Sequence, residues 1–574
     1  MIYALQEHID SYTAKGWWGE KTLWDYFLES LHQFPDQEAV VDAPNRLSFA
    51  HGEPQRWSWK TLAEHTDKVA LSMLKSGIKR DDIVVVQLPN CVEQIAVFLA
   101  CARLGIILSP VPVQYREHEL NHVLKITEAS AVITFTRIGK VEQAYEAAHA
   151  FIHLKDKHPP LHTVLCWGLN PPADATPIES GPISEKDRQT IASATSNASV
   201  SANDIFTICW TSGTEAEPKG VPRSHNEWIL SGQAVAQAAK LQKGARLLNP
   251  FPLVNMSGIS GSFTSWLLVG GTVIQHHPFD LPIFLQQLRE EKIDYTVAPP
   301  TILTMMLKNP DLLDGIDFKR LQRMGTGSAP LSPWLVKGFE TTLGVEIVNY
   351  YGSNEGASLC GAHDDIPDAE MRAQFFPRAG VPGFQWRLPL FNRIQTRLVD
   401  LDTEKEITEN GFPGELRFAG PSVFSQYFRA PAMTANAFDA QGFYKTGDLF
   451  EIAGEQQQYY RFVGRSKDLV IRGGMNISSE EIEILLASHP DILEVAIVGY
   501  PDERLGEKIC ACVVEKLPGT VSLDSIKAFL LQEKKVAMFK LPEKLMVVPA
   551  LPRNPVGKIL KRVLRETLAS KSLN

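Results

Sequence analysis

Several features are scarce in this sequence, and each scarcity closes off a class of function. Seven cysteines (Cys91, Cys101, Cys166, Cys209, Cys360, Cys510 and Cys512) are scattered through 574 residues. They form no CxxC pair and no Cys/His cluster, which argues against a disulfide framework or structural zinc and fits a reducing cytoplasm. No block of Lys or Arg stands out, and 57 basic against 66 acidic residues leave a formal net charge of −9. That argues against a nucleic-acid or acidic-membrane partner but leaves room for a local basic groove that holds phosphates. The start, MIYALQEHID, brings charges at once and has no apolar h-region, so no secretory signal is expected. The most apolar stretches, such as Ile83–Leu88 and Trp266–Ile274, are far too short to span a bilayer. No repeat at solenoid periods is visible.

What is present is the composition of a soluble globular protein, 44% hydrophobic and 21% charged. The chain is too long for one ordinary core, so two or more domains are expected. Its first third alternates between two periods. Leu62, Val69, Met73 and Leu74 recur at helical spacing until Gly77. The run from Ile83 to Leu88 reads as a strand covered on both faces. Helical spacing over Val92–Leu104, a strand over Ile106–Val113, a helix over Glu117–Lys125 and a strand over Ala131–Phe135 follow. This rhythm predicts a layered α/β domain with parallel sheets. Asn170–Asn203, rich in Pro, Ser, Thr, Ala and Asp, reads as a mobile surface connection.

After Gly464-Arg465 the pattern changes. Helices are expected at Glu480–Leu486 and Leu523–Leu531, and strands at Val495–Gly499, Ile509–Val514 and Lys544–Val548. Together they predict a separate α+β domain of about a hundred residues. The expected division is therefore 1–464 and 465–574.

Five segments carry candidate chemistry. Thr211-Ser-Gly-Thr-Glu-Ala-Glu-Pro-Lys-Gly220 follows the strand-like Ile205–Trp210. Its hydroxyls, Gly213 and Lys219 suit a loop folded round phosphate oxygens. It is no Walker A loop, because Lys219 lies between Pro218 and Gly220 rather than entering a helix beside Ser or Thr. Tyr350-Tyr-Gly-Ser-Asn-Glu355 offers an aromatic face for a purine and, in Glu355, a hard oxygen ligand for Mg²⁺. Tyr444-Lys-Thr-Gly-Asp448 places a carboxylate just past a tight turn, where it can accept bonds from ribose hydroxyls. Gly464-Arg-Ser-Lys-Asp-Leu-Val-Ile-Arg-Gly-Gly-Met-Asn-Ile477 puts two glycines after an apolar strand, permitting close approach of a narrow ligand. Leu551-Pro-Arg-Asn-Pro-Val-Gly-Lys558 stiffens and aims a loop that ends in Lys558. Each segment alone also reads as an ordinary surface turn; their company decides.

Taken in this order, the five segments resemble the ANL superfamily of adenylate-forming enzymes, in its acyl-CoA synthetase branch. The likeness runs from about Leu23 to Lys558. Gly16-Trp-Trp-Gly-Glu-Lys-Thr-Leu-Trp-Asp-Tyr-Phe27 is similar to the N-termini of synthetases for short, medium or alicyclic acids, and of aryl-acid adenylating enzymes. The resemblance implies a large N-terminal AMP-binding domain and a small, mobile C-terminal domain. It also implies two half-reactions: a carboxylate attacks Mg-ATP to give an acyl-adenylate and pyrophosphate, and the thiol of CoA then releases AMP. The cosubstrates implied are a small carboxylic acid, ATP and CoA, with Mg²⁺ as cofactor.

Position by position, Thr211, Ser212, Gly213, Thr214 and Lys219 match the family's phosphate loop. Gly327, Ser328 and Ala329 resemble the segment lining adenine, with Tyr351 stacking on it and Gly352 beside it. Glu355 matches the magnesium ligand, and Asp448 and Arg465 the ribose contacts. Lys467 sits at the hinge position and Gly473-Gly474 at the pantetheine tunnel. Lys558 matches the lysine that bridges carboxylate and α-phosphate during adenylation. Trp228, Asn255, Met256 and Gly325 are candidates for the acyl pocket.

Three positions depart from the family's habit. Ala216 stands where Gly is common, Asn354 where Thr usually precedes the magnesium Glu, and Asn255 where a His or aromatic residue is common. Asn255 is read as filling space. Two other readings stay open: a ligase that loads a carrier-protein thiol instead of CoA, and a nucleotide-binding homologue without catalysis.

Overall fold

The computed structural model describes residues 1–155, 163–211, 218–327, 330–465, 468–472, 475–502, 504–554 and 557–571. Its architecture follows from one helix. Val92–Leu104 buries every residue except Arg103. A helix buried on almost every side must lie between layers, and this one does. The core around it draws Val84, Val86 and Leu108 from one sheet and Val40, Leu247 and Val273 from another. Gly105 closes the helix at φ 66°, a left-handed conformation that a side chain would strain.

The first of these sheets has seven strands, in the order Ala175–Pro177, Thr163–Trp167, Ala131–Phe135, Ile83–Gln87, Ile107–Pro110, Ile205–Trp210, Gly220–Ser224. All neighbours run parallel except the last pair, an antiparallel hairpin. The second sheet has eight strands, in the order Ser358–Gly361, Glu346–Gly352, Arg323–Gly327, Tyr295–Val297, Arg246–Asn249, Thr272–Gln275, Glu38–Val41, Arg56–Ser58. Here an antiparallel strand edges each end of a parallel centre. The outer faces are covered by Glu117–Thr127 and its neighbours on one side, and by Leu281–Glu290 and Pro300–Lys308 on the other. This is the layered α/β class expected from the periodicity.

The expected loop Asn170–Asn203 is instead partly ordered. It supplies the edge strand Ala175–Pro177 and a fourteen-residue helix, Glu185–Ala198, capped by Ser184. Ile191, Ala194 and Ala198 face the core at helical spacing. Alanines make so faint an apolar stripe that composition hides it.

A third, antiparallel sheet comprises Phe375–Pro377, Tyr459–Arg465, Tyr444–Ala453, Gly414–Ala419 and Gln395–Val399, in that order. The fourth sheet is made only of residues beyond 469. Ile492–Asp502 and Gly506–Glu515 extend two of the expected strands, Lys544–Val547 ends one residue short of the third, and Val470–Arg472 and Met475–Ile477 join them. Ser479–Leu486 and Leu523–Ala528 pack on one face, and Lys561–Lys571 on the other. The helix expected over Leu523–Leu531 ends early, and a wider turn, Phe529–Glu533, takes over.

Candidate active site

The phosphate-loop candidate springs from the hairpin at the edge of the seven-stranded sheet. Its base is closed reciprocally: Thr211 N–H donates to the Lys219 carbonyl at 3.0 Å, and Lys219 N–H donates to Thr211 Oγ1 at 3.1 Å. Ser212, Gly213, Thr214 and Ala216 lie outside the described residues. The Lys219 ammonium sits 4.8 Å above the centre of the Tyr427 ring, a cation–π contact. Tyr427 Oη donates to Glu355 Oε1 at 2.9 Å, and Glu355 is 7% exposed. Burial first, and then the Glu355 charge, push the Tyr427 phenol far above its ordinary range, so it stays a donor. Lys219, Tyr427 and Glu355 thus form one chain of contacts.

The antiparallel sheet supplies a second cluster. Its register pairs Asp448 with Arg465 across neighbouring strands. Arg465 Nε lies 3.2 Å from Asp448 Oδ1, and Tyr351 Oη donates to Asp448 Oδ2 at 2.7 Å. Thr446 Oγ1 accepts from Asp448 N–H at 3.1 Å, and Gly447 turns the chain at φ 70°. Tyr351 therefore joins the eight-stranded sheet, on which it sits, to the antiparallel one. Burial and the Asp448 charge keep its phenol protonated.

Asn354, one of the departures, has a structural reason. Its Oδ1 accepts from Met256 N–H at 2.9 Å and its Nδ2 donates to the Trp210 carbonyl at 3.1 Å. One amide thereby ties the Glu355 loop to two other segments, which a threonine hydroxyl could not reach in the same way. Asn255 does more than fill space. Its Oδ1 accepts from Gly258 N–H at 3.2 Å and caps the short helix Met256–Gly258.

One cavity of about 1150 Å³ is lined by Thr211, Lys219, Asn255, Met256, Tyr351, Gly352, Glu355, Asp448, Arg465 and Lys558. Lys558 is exposed, at the end of a turn in which its N–H donates to Asn554 Oδ1 at 2.8 Å. Gly327 lies just beyond, in a smaller adjoining pocket. Ser328, Ala329, Lys467, Gly473 and Gly474 fall outside the described residues.

Two acyl-pocket expectations are corrected. Trp228 is fully buried in the core, donates to Thr207 Oγ1 at 2.8 Å, and lines neither cavity. A tryptophan early in the helix His225–Ala238 faces inward because the sheet beneath needs the bulk. Gly325 is likewise absent from both linings. A Cβ there would collide with Tyr295 Oη and Val297, so the position permits packing of the sheet and forms no wall.

Sequence reasoning missed Tyr427 and Arg223. Arg223 is fully buried, donates through Nη1 to the Asn354 carbonyl at 2.8 Å, and lies over the Trp228 ring. Neither residue carries a spacing signal for the site, because Glu355 and the Asn354 carbonyl, which they bond there, are more than seventy residues away in sequence.

Among the described residues, no group of three or more His, Cys, Asp and Glu side chains could cage a metal. Glu355, a nearly buried carboxylate that lines the cavity beside Lys219, does fit Mg²⁺, which is commonly held by one or two carboxylates plus phosphate oxygens. Among the same residues, no helix is long and apolar enough to cross a membrane.

Comparison with known proteins agrees with this geometry. The sequence model of AMP-binding enzymes matches residues 27–428, and that of the AMP-binding enzyme C-terminal domain matches 481–558. A medium-chain fatty-acid–CoA ligase of Escherichia coli (strain K12) is 30% identical over 97% of this chain and 92% of its own. The 2-hydroxy-7-methoxy-5-methyl-1-naphthoate–CoA ligase of Streptomyces carzinostaticus is 30% identical over 96% and 94%. The crystal structure of the ATP-bound RpMatB-BxBclM chimera B1 superposes with a TM-score of 0.75 at 25% identity, covering 96% of this chain and 99% of the chimera. With its layered fold and its gathered motifs, the chain belongs to the AMP-binding enzymes, within the acid–CoA ligase branch of the ANL superfamily.

Proposed function

We propose that the protein is an ATP-dependent carboxylic acid–CoA ligase that works through an acyl-adenylate, releasing pyrophosphate and then AMP. The observation that carries this reading is the single cavity. Lys219, Tyr351, Glu355, Asp448, Arg465 and Lys558 come from five motifs distributed over four sheets, yet all line it. A structural protein has no reason to converge so many unlike polar groups on an open space.

Each residue then has a task. Lys219 and Thr211, with Ser212, Gly213 and Thr214, hold the β- and γ-phosphates. Tyr351 stacks on adenine beside Gly327, Ser328, Ala329 and Gly352, while Asp448 and Arg465 fix the ribose. Glu355 would hold Mg²⁺, which when bound neutralises phosphate charge. As the substrate carboxylate attacks the α-phosphate, negative charge gathers on the phosphate oxygens. Lys558 opposes it with an ammonium carried on the rim of the cavity.

In the second half-reaction the thiol attacks the acyl carbon of the mixed anhydride and AMP leaves. Gly473 and Gly474 line the path of the pantetheine arm. Residues 1–464 would form the adenylating domain, and 465–574 a domain that turns near Lys467 between the two steps. All seven cysteines are free, in keeping with a cytoplasmic enzyme.

ATP–pyrophosphate exchange across a panel of carboxylic acids tests the reading, followed by AMP release with CoA or with a carrier protein as acceptor. Acid-dependent exchange and CoA-dependent AMP release are expected. Silence with every acid while ATP still binds would favour a nucleotide-binding homologue, and AMP release with the carrier alone would move the acceptor.

A further inference from the structure

Beyond the large cavity lies a second pocket of about 110 Å³, reached past Phe251, Met256, Tyr350 and Tyr351, which line both. Its floor is the strand Arg323–Gly327, where Gly327 approaches so closely that a Cβ would collide with the Tyr350 carbonyl oxygen. One wall is Ser231, Ala234 and Val235 of the helix His225–Ala238. The far end is closed by Leu388, Leu390 and Phe391 around the turn Pro389–Asn392. These three are 6%, 3% and 1% exposed and belong to the core of the antiparallel sheet, so the end wall is backed by packed protein.

The chemistry of this lining is uniform. No Asp, Glu, Lys, Arg or His is among the described residues that line it. Three of its hydroxyls are engaged near by, Tyr351 Oη donates to Asp448 outside the pocket, and Thr326 Oγ1 is buried with no partner among the described residues. Ser231 Oγ donates to the Glu227 carbonyl at 2.8 Å, Ser260 Oγ donates to the Met256 carbonyl at 2.7 Å, and Tyr350 Oη accepts from Tyr295 Oη at 3.1 Å. A dry apolar cavity of roughly 150 Å³ accepts one benzene ring. This pocket is smaller, about 110 Å³, and it shares Phe251, Met256, Tyr350 and Tyr351 with the cavity that holds the reacting centre.

We propose that the acid activated here is a monocarboxylate with a compact, uncharged hydrocarbon body of roughly four to six carbons, linear, branched or cyclic, without a second ionised group. The inference rests on the ligase reading and adds the class of acid to it. A second carboxylate would be driven into a pocket that offers no counter-charge, a penalty that neutral acids escape. A long chain would meet Leu390 and Phe391, which cannot yield without disturbing the core behind them.

The test is ATP–pyrophosphate exchange by the full chain with hexanoate, cyclohexanecarboxylate, adipate and palmitate. Hexanoate or cyclohexanecarboxylate should exceed adipate and palmitate by at least about a hundredfold in kcat/KM. Leu390→Ala, which shortens the end wall, should move the preferred linear acid longer by about two carbons. Val235→Phe, which narrows the pocket from the opposite wall, should move it shorter and serves should Leu390→Ala not fold. Exchange that is best with adipate or palmitate overturns this proposal and leaves the ligase reading intact. An unchanged chain-length preference in a folded wall variant overturns it as well. No exchange with any acid, while ATP binds, overturns both.

Discussion

Replacing Lys558 by alanine bears most directly on the proposed chemistry, because the structure separates the side chain from the turn that presents it. The turn is held by the backbone of residue 558. Asn554 Oδ1 accepts from its N–H at 2.8 Å, and the Asn554 N–H donates to its carbonyl at 2.9 Å. Both bonds persist in Lys558→Ala, so the loop keeps its course and only the ammonium and its contacts are lost. The side chain is exposed, and stability should move by less than about 0.5 kcal/mol. Adenylation should suffer far more. One preplaced donor to a developing oxyanion contributes about 3 kcal/mol, roughly a hundredfold in rate. Pyrophosphate exchange should fall by that factor, while thioester formation from a supplied acyl-adenylate and CoA stays within about threefold of the parent. Asn554→Ala keeps the ammonium and removes one neutral hydrogen bond, about 1 kcal/mol, so exchange should fall only about fivefold. Equal losses in both half-reactions of Lys558→Ala would refute the assignment. A larger loss in Asn554→Ala than in Lys558→Ala would place the function in the turn instead of the charge.

Two further outcomes follow from a partly buried amide and a buried imidazole. Asn354→Ala removes bonds to Met256 N–H and the Trp210 carbonyl, so urea denaturation should show a loss of about 2 kcal/mol, with KM for the acid rising more than KM for ATP; a change below about 0.5 kcal/mol would show that the ties do not matter. His225 is 1% exposed, accepts from Leu23 N–H at 3.2 Å, and is held by burial down to a pKa of about 4, against an ordinary 6.5. The unfolded chain therefore takes a proton that the folded one refuses as pH falls from 6.5 towards 4. Stability should drop by about 3 kcal/mol over that window, and His225→Gln should flatten the slope; denaturation midpoints with the same pH slope in both proteins would refute this.

Much of the fold was legible because long apolar segments announce their period. Val92–Leu104 and Ala131–Phe135 have the bounds read from the sequence, since burial on every side leaves the segments densely apolar. The helix Glu185–Ala198 was not legible, because its buried stripe is mostly alanine, too small to stand out from a polar background. Trp228 misled for the opposite reason. A large aromatic one turn past a capped helix start suits a pocket wall or a core equally well, and only the position of the sheet beneath decides. Tyr427 and Arg223 act through Glu355 and the Asn354 carbonyl, partners that only tertiary folding brings near.

The candidate site itself was legible in a way that single motifs cannot explain, and the sheets supply the reason. Thr211 and Lys219 close a hairpin at the edge of the seven-stranded sheet. Tyr351 ends a strand of the eight-stranded sheet, with Glu355 three residues beyond that strand. Asp448 and Arg465 pair within the antiparallel sheet, and Lys558 follows the last strand of the fourth. The antiparallel sheet therefore delivers two segments to the cavity and each other sheet one, and because the sheets are completed largely one after another along the chain, the segments occur in the same order. A Ser/Thr/Gly turn or a Thr-Gly-Asp turn is common anywhere. Segments carried by four different sheets must meet wherever the edges of those sheets meet. The order of the motifs is thus a trace of the layered fold, and the bridging contacts (Tyr351 to Asp448, Tyr427 to Glu355, Asn354 to Met256) hold the edges at the distance the cavity requires.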